Sequence, residues 1–310
     1  MCGPPEDQKE RSPGLLEQDE ASGIEALPRR VGRYGQAKNR ALEVADYLRP
    51  LPLRKNLAHR VARCGDYLVF RHYYTVDEVR LHAAQFCMKH LLCPLCAIRR
   101  GAKAMQAYMP RFEALTASRP DLSPFLVTLT VKDGPNLIER FKHLQRSQHE
   151  LWKRKHRGRG SALDGVEAAV WSYEVKRGSG SGLWHPHLHM VAMGRAQPDQ
   201  VELAKEWEAI TGDSFIVDVR PIDQADPASG FLEVFKYALK FSDMDCADTV
   251  NAFDELSGRR LVGSAGLFRG IEIPEQLLDE PLDDLPYVDR LYRFFRASAT
   301  PSMLGGPWRF

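Results

Sequence analysis

The segment WHPHLHMVAMG, beginning at Trp184, constrains this chain more than any other stretch. It reads as a strand, and side chains two apart on a strand share a face. His187 and His189 therefore project together, while Leu188 between them faces the opposite way, into a core. Two imidazoles at this spacing can hold one metal ion without backbone strain. His185 has the same parity, but Pro186 and the loop before it leave its direction open, so it is a possible further ligand.

A third ligand is expected from the neighbouring strand. Val166–Val175 and His187–Met193 flank the flexible loop KRGSGSGLW and form an antiparallel pair, which brings Glu174 of WSYEVK beside the imidazoles. On spacing alone Glu174 could equally be an exposed strand carboxylate. Two imidazoles and a carboxylate suit Mn²⁺, or Mg²⁺ where a substrate phosphate supplies oxygens, and Zn²⁺ fits the imidazoles at least as well.

The surrounding pattern is β-α-β-β-α-β-α. FLVTLTV is a buried strand, Asn136–Lys155 a helix with an apolar stripe, Pro198–Ile210 a helix, Ser214–Val219 a strand and Gly230–Ser242 a helix. This order predicts an α+β fold: a ferredoxin-like or RRM-like antiparallel sheet with helices on one face. In the last helix, Glu233 and Tyr237 are four apart and Tyr237 and Lys240 three apart, so the three can share a face. A helical tyrosine ordinarily packs with its hydroxyl in water. Beside a divalent metal, Tyr237 could instead attack phosphorus, with Lys240 offsetting charge and Glu233 acting as a general base.

Cys64, Cys87, Cys93 and Cys96 are the second candidate constellation. Cys93-Pro-Leu-Cys96 is a tight knuckle, and with two further thiolates it could close a tetrahedral structural Zn²⁺ site. His90 or His82 could replace one thiolate, and buried thiols without metal are the plainer alternative. After the knuckle a basic helix from Ala97 to Leu115, with Arg99, Arg100 and Lys103, could lie against DNA. Lys132–Arg159 holds nine bases against three acids, including Lys142, Arg146, Lys153, Arg154 and Lys155. That run is either a phosphate-binding field or a solvated helix face.

Four regions are expected along the 310 residues: a disordered or loosely attached leader over 1–40, a cysteine-containing zinc-knuckle and helical region over 41–118, a catalytic domain over 119–270, and an acidic tail over 271–310. Within the second region YLVFRHYY reads as a strand and VDEVRLHAAQFC as a helix. No apolar run approaches the roughly 18 residues of a membrane span, and the first residues lack a secretory pattern, so the expected location is the cytoplasm.

Together these segments resemble the HUH-endonuclease initiators of rolling-circle plasmid replication, in the group with an N-terminal cysteine motif and a single catalytic tyrosine. The resemblance spans about Arg63 to Gly270. FLVTLTV is similar to that family's first motif, HPHLH to its metal-binding motif and EVFKYALK to its tyrosine motif; RCG, CPLCAIRR and RRLVGSAGLFRG resemble its cysteine and tail segments. The resemblance implies Tyr237 as nucleophile, Glu233 as the water-activating base, and His187, His189 and Glu174 as ligands of Mg²⁺ or Mn²⁺. It further implies a single-stranded plasmid origin as substrate, a 5′-phosphotyrosyl intermediate with a free 3′-OH, and a host helicase and polymerase as partners. A transposase with the same cut-and-rejoin chemistry, and a non-catalytic zinc-knuckle protein binding single-stranded nucleic acid, are the rival readings.

Overall fold

A computed structural model describes residues 23–158, 160–223, 226–235 and 244–295, with the backbone of 308–309. Its elements run α1 (Leu27–Leu48), α2 (Lys55–Ala62), β1 (Tyr67–Tyr73), β2 (Glu78–Ala84), α3 (Pro94–Ser118), β3 (Ser123–Thr130), α4 (Leu137–His156), β4 (Val166–Arg177), β5 (Trp184–Gly194), α5 (Gln200–Thr211), β6 (Val217–Pro221), α6 (Ala228–Phe235), α7 (Cys246–Leu256), β7 (Val262–Gly266), β8 (Val288–Phe294) and β9 (Trp308–Arg309).

The central sheet has the order β6-β3-β5-β4-β7, with every pairing antiparallel. Its alternation sorts residues cleanly between two cores. Val127 and Leu129 of β3, Tyr173 and Val175 of β4, and Leu188 and Met190 of β5 face α4 and α5 and surround Phe141, Leu151 and Trp207. Leu126, Val170, Val191 and Met193 face the other way, against Tyr108 and Phe112 of α3 and Phe231 and Phe235 of α6. Helices thus cover both faces, where the sequence pattern predicts one. The long α3 supplies the additional cover, since its Met105–Leu115 stripe is apolar. Each fully buried Leu or Phe contributes roughly 1.5–3 kcal/mol, so both faces are needed to hold a sheet this apolar.

Helix ends follow local chemistry. Asn136 caps α4 by accepting from the Glu139 N–H, Asp199 caps α5 through Val201 and Glu202, and Asp245 caps α7 through Asp248. Gly212, at φ 71°, closes α5 in the left-handed conformation that favours glycine.

The N-terminal part differs most from expectation. Residues 27–40, expected to be loosely attached, belong to α1, whose Leu27, Val31, Tyr34, Ala41 and Val44 pack into a core with β1 and β2; residues 1–22 lie outside the described residues. VDEVRLHAAQFC, expected to be a helix, contains strand β2, because Val79 and Leu81 alternate toward that core and pair with β1. The acidic tail is not an appendage either: β8 pairs with β1 along six residue positions, Tyr67↔Arg293 through His72↔Val288.

Asp279, from that tail, is buried among cations. It accepts from Arg30 at 2.9 Å, from Arg99 and from the Leu81 N–H at 2.7 Å, with Lys103 Nζ 3.9 Å away. Burial alone would raise its carboxyl; the guanidinium groups of Arg99 and Arg30 override this and hold it well below the usual carboxylate range. Arg99 and Lys103, expected to face DNA, are therefore core ion partners, buried to 1% and 3% exposure. A buried carboxylate needs nearby positive charge, and Arg30 of α1 supplies it together with Arg99 and Lys103 of α3.

Candidate metal centres

The β4–β5 hairpin places Glu174 directly opposite His187, and Ser172 opposite His189. On the other side of β5, Thr128 and Thr130 of β3 stand opposite His189 and His187. The three expected ligands converge: Glu174 Oε1 lies 3.3 Å from His187 Nε2, and Oε2 lies 3.4 Å from His189 Nε2. All three are at least nine-tenths buried, and their ligand atoms lie within 4.8 Å of one another.

The set fits a divalent cation on its own chemistry. His189 Nε2 is buried and makes no hydrogen bond among the described residues, while its Nδ1 is 3.1 Å from Thr128 Oγ1. One ring nitrogen is thus fixed by the protein and the other turned inward, as a metal-bound imidazole requires. Burial lowers the pKa of His187 against the opposing pull of Glu174, favouring the neutral form that coordinates metals.

His185 stands apart. Its Nδ1 pairs with Asp133, which also accepts from Ser181 Oγ in the β4–β5 loop, so it does not join the three-ligand group. Burial opposes ionisation of Asp133, yet the hydrogen bonds from Ser181 and His185 leave its pKa lowered. Neither Thr128 nor Asp133 was a sequence candidate. Thr128 had one usable signal: it has the parity of Leu126 in FLVTLTV, off the Val127–Leu129 face.

The metal group lies on the sheet face covered by α6. Ser172 Oγ donates to the Val234 carbonyl of α6, which fixes that helix on the cross-strand partner of His189. Glu233 sits on α6, half-buried. Tyr237 and Lys240 lie outside the described residues, two and five positions beyond the last described residue of the helix, Phe235.

The four cysteines also meet. Cys64 Sγ is 3.5 Å from both Cys96 Sγ and Cys93 Sγ, and Cys87 Sγ is 3.6 Å from Cys96 Sγ. These spacings are far beyond a disulfide bond and close to the ~3.8 Å edge of a tetrahedron with 2.3 Å Zn–S bonds. Hydrogen bonds from the Cys64, Cys93 and Cys96 thiols hold Cys87 far below the ordinary thiol range, while their mutual contacts and burial push Cys64 and Cys93 up. His82 and His90 are not in the group. Lys38 of α1 ties the knuckle to the rest of the N-terminal core, donating to the Cys64 carbonyl and to Asp66, both at 2.8 Å.

The remaining basic candidates divide by position. Arg100 donates to the Ile273 and Pro274 carbonyls. Lys142, Arg146 and Lys153 are exposed on α4, and Arg154 and Lys155 half-exposed; α4 packs on the sheet face opposite the metal group.

A buried two-histidine, one-carboxylate group on an antiparallel sheet and a buried cluster of four cysteines give this chain two groups that could each hold a metal ion. Residues 78–291 match the replication protein family Rep_1, and the chain belongs to that family. It is 28% identical over 265 residues to a protein rep of Streptococcus pneumoniae serotype 2 (strain D39 / NCTC 7466), covering 80% of this chain and 81% of that one. It is 24% identical over 285 residues to a protein rep of Lactiplantibacillus plantarum, covering 84% and 87%. No solved structure matches the chain. Among the described residues no helix is long and apolar enough to cross a membrane.

Proposed function

We propose that this chain initiates plasmid replication by nicking single-stranded DNA at a rolling-circle origin, on an HUH-type, ferredoxin-like catalytic domain. The observation that carries the reading is the convergence of Glu174, His187 and His189 on the sheet face that α6 covers, the helix whose last described residue, Phe235, precedes Tyr237 by two positions in the sequence. The strand order β6-β3-β5-β4, which a β-α-β-β-α-β chain with a split βαβ arrangement requires, supports the fold.

Mg²⁺ or Mn²⁺ held by Glu174, His187 and His189 would polarise the scissile phosphate. In this reading the Tyr237 hydroxyl oxygen attacks phosphorus and forms a 5′-phosphotyrosyl bond, and the bond to the 3′ oxygen breaks, leaving a 3′-OH. Lys240, three residues on, offsets the charge of the phenolate or the phosphate. The 3′-OH is the primer that a host polymerase extends after a host helicase opens the duplex. Glu233, four residues before Tyr237 in the sequence, takes the proton from a water in the terminating step, so that one tyrosine suffices. A Zn²⁺ held by Cys64, Cys87, Cys93 and Cys96 would brace α3 at its first turn. The exposed bases of α4, on the far face, would contact flanking duplex rather than the nicked strand.

The reading is tested by incubating the protein with a labelled single-stranded origin oligonucleotide and Mn²⁺, then running a denaturing gel. Protein-linked DNA that disappears with chelator supports it, and cleavage without any adduct refutes it in favour of simple hydrolysis.

A further inference from the structure

The metal-bearing face does not end at its ligands. Ser172 of β4 pairs with His189 on one side and with Val262 of β7 on the other, so the same face continues to the sheet edge. There a cavity of about 370 Å³ opens between α3, the end of α6 and β7. Its lining is mostly apolar, with Tyr108, Phe235 and Ile271 among its walls, and His90, Ser172, Arg100, Arg259 and Arg260 also line it. Arg259 and Arg260 each donate Nε to a backbone carbonyl, of Glu255 and Val262. Both are exposed, and neither forms an ion pair among the described residues. Their guanidinium groups are therefore held at the edge of a mostly apolar slot, with no ion-pair partner among the described residues.

An apolar slot with guanidinium groups along it matches one ligand chemistry closely: a flat aromatic base carrying a phosphodiester. The volume sits near the lower end of the roughly 300–1,000 Å³ typical of small-ligand sites, enough for a base with its sugar and too little for a duplex. The wall residue Phe235 is two positions before Tyr237 in the chain. We propose that this slot takes one unpaired nucleotide of the single strand beside the cut phosphate, its base in the apolar interior and its phosphate on Arg259 and Arg260. The assignment rests on the nicking reading above and names where the substrate strand is gripped.

The test uses Arg259→Ala/Arg260→Ala, at exposed positions that leave the core intact, and Ile271→Trp, which fills the slot. Affinity for a fluorescent single-stranded 15-mer and for the matching duplex is measured without added divalent metal, over a range of salt. The double substitution should weaken single-strand binding roughly tenfold and reduce the slope of log affinity against log salt by about 0.7, the value for one phosphate contact on a single strand. Ile271→Trp should weaken it with the slope unchanged, and duplex affinity should hold in both. Unchanged single-strand affinity in either variant, or an equal loss on duplex, overturns the assignment. Wild-type protein that forms no adduct while both variants lose strand affinity would sink the nicking reading and leave the slot standing; adduct formation with unaffected variants would do the reverse.

Discussion

Glu174 and His187 face each other across the β4–β5 ladder, carboxylate oxygen to imidazole nitrogen at 3.3 Å, both essentially buried. A strand pair rarely buries an acid and two imidazoles without a cation to share. The register makes the pair: sliding β4 by one residue would turn Glu174 into the α4 core and bring Tyr173 or Val175 to the metal face.

The first prediction concerns binding alone. Mn²⁺ at a hundredfold excess over its dissociation constant should stabilise the wild type by about 2.7 kcal/mol, read as a rise in the thermal midpoint. His187→Ala and Glu174→Ala should abolish the rise. A variant whose midpoint still climbs with Mn²⁺ would place the ion elsewhere.

The tetrathiolate cluster predicts one zinc per chain by elemental analysis. Cys93→Ser should lose that zinc and lower the unfolding free energy by much more than the ~1 kcal/mol of an average substitution, because zinc binding is folding free energy. Full zinc content in the Ser variant would mean that Cys93 is not a ligand.

Asp279 links the tail to α1 and α3, and its neutralisation removes the buried carboxylate charge that Arg30 and Arg99 share. Asp279→Asn should cost about 3–5 kcal/mol in denaturant unfolding. The pH dependence has a definite sign: a carboxyl with a depressed native pKa contributes stability fully present above its unfolded value, near 3.9, and lost as pH falls below it. The wild type should lose this increment on acidification and the variant should show less acid sensitivity. Identical acid limbs would remove Asp279 from the stability account.

For the terminating step, Glu233→Ala should preserve the first cut and lose the water-dependent release, so covalent adduct accumulates. Equal loss of both steps on a time-resolved gel would mean that Glu233 only supports α6.

The sequence made some of this legible and hid the rest, for physical reasons. The histidine strand and its hairpin partner were readable because period-two alternation and a short glycine-rich loop fix register locally. The four cysteines were readable by type, although their meeting depends on Cys64, which reaches the knuckle across a β-hairpin. β2 was misread as helix because Arg80, Ala83 and Ala84 favour helices while its inward face is only Val79 and Leu81. The first part of α1, residues 27–40, is hidden in the sequence because Arg30, Arg33 and Lys38, polar by type, are buried on its inner face, whereas its second part, Ala41–Leu48, carries a helical pattern. The tail's role depended on Asp279 meeting Arg30, 249 positions earlier, a contact that no local pattern announces.

The most direct test of the central claim is peptide mapping by mass spectrometry of the protein after reaction with a single-stranded origin oligonucleotide and Mn²⁺. The account predicts one nucleotide-modified peptide, carrying a 5′-phosphate ester on Tyr237, and none in Tyr237→Phe. A modified peptide elsewhere, or an undiminished adduct in the Phe variant, would contradict it.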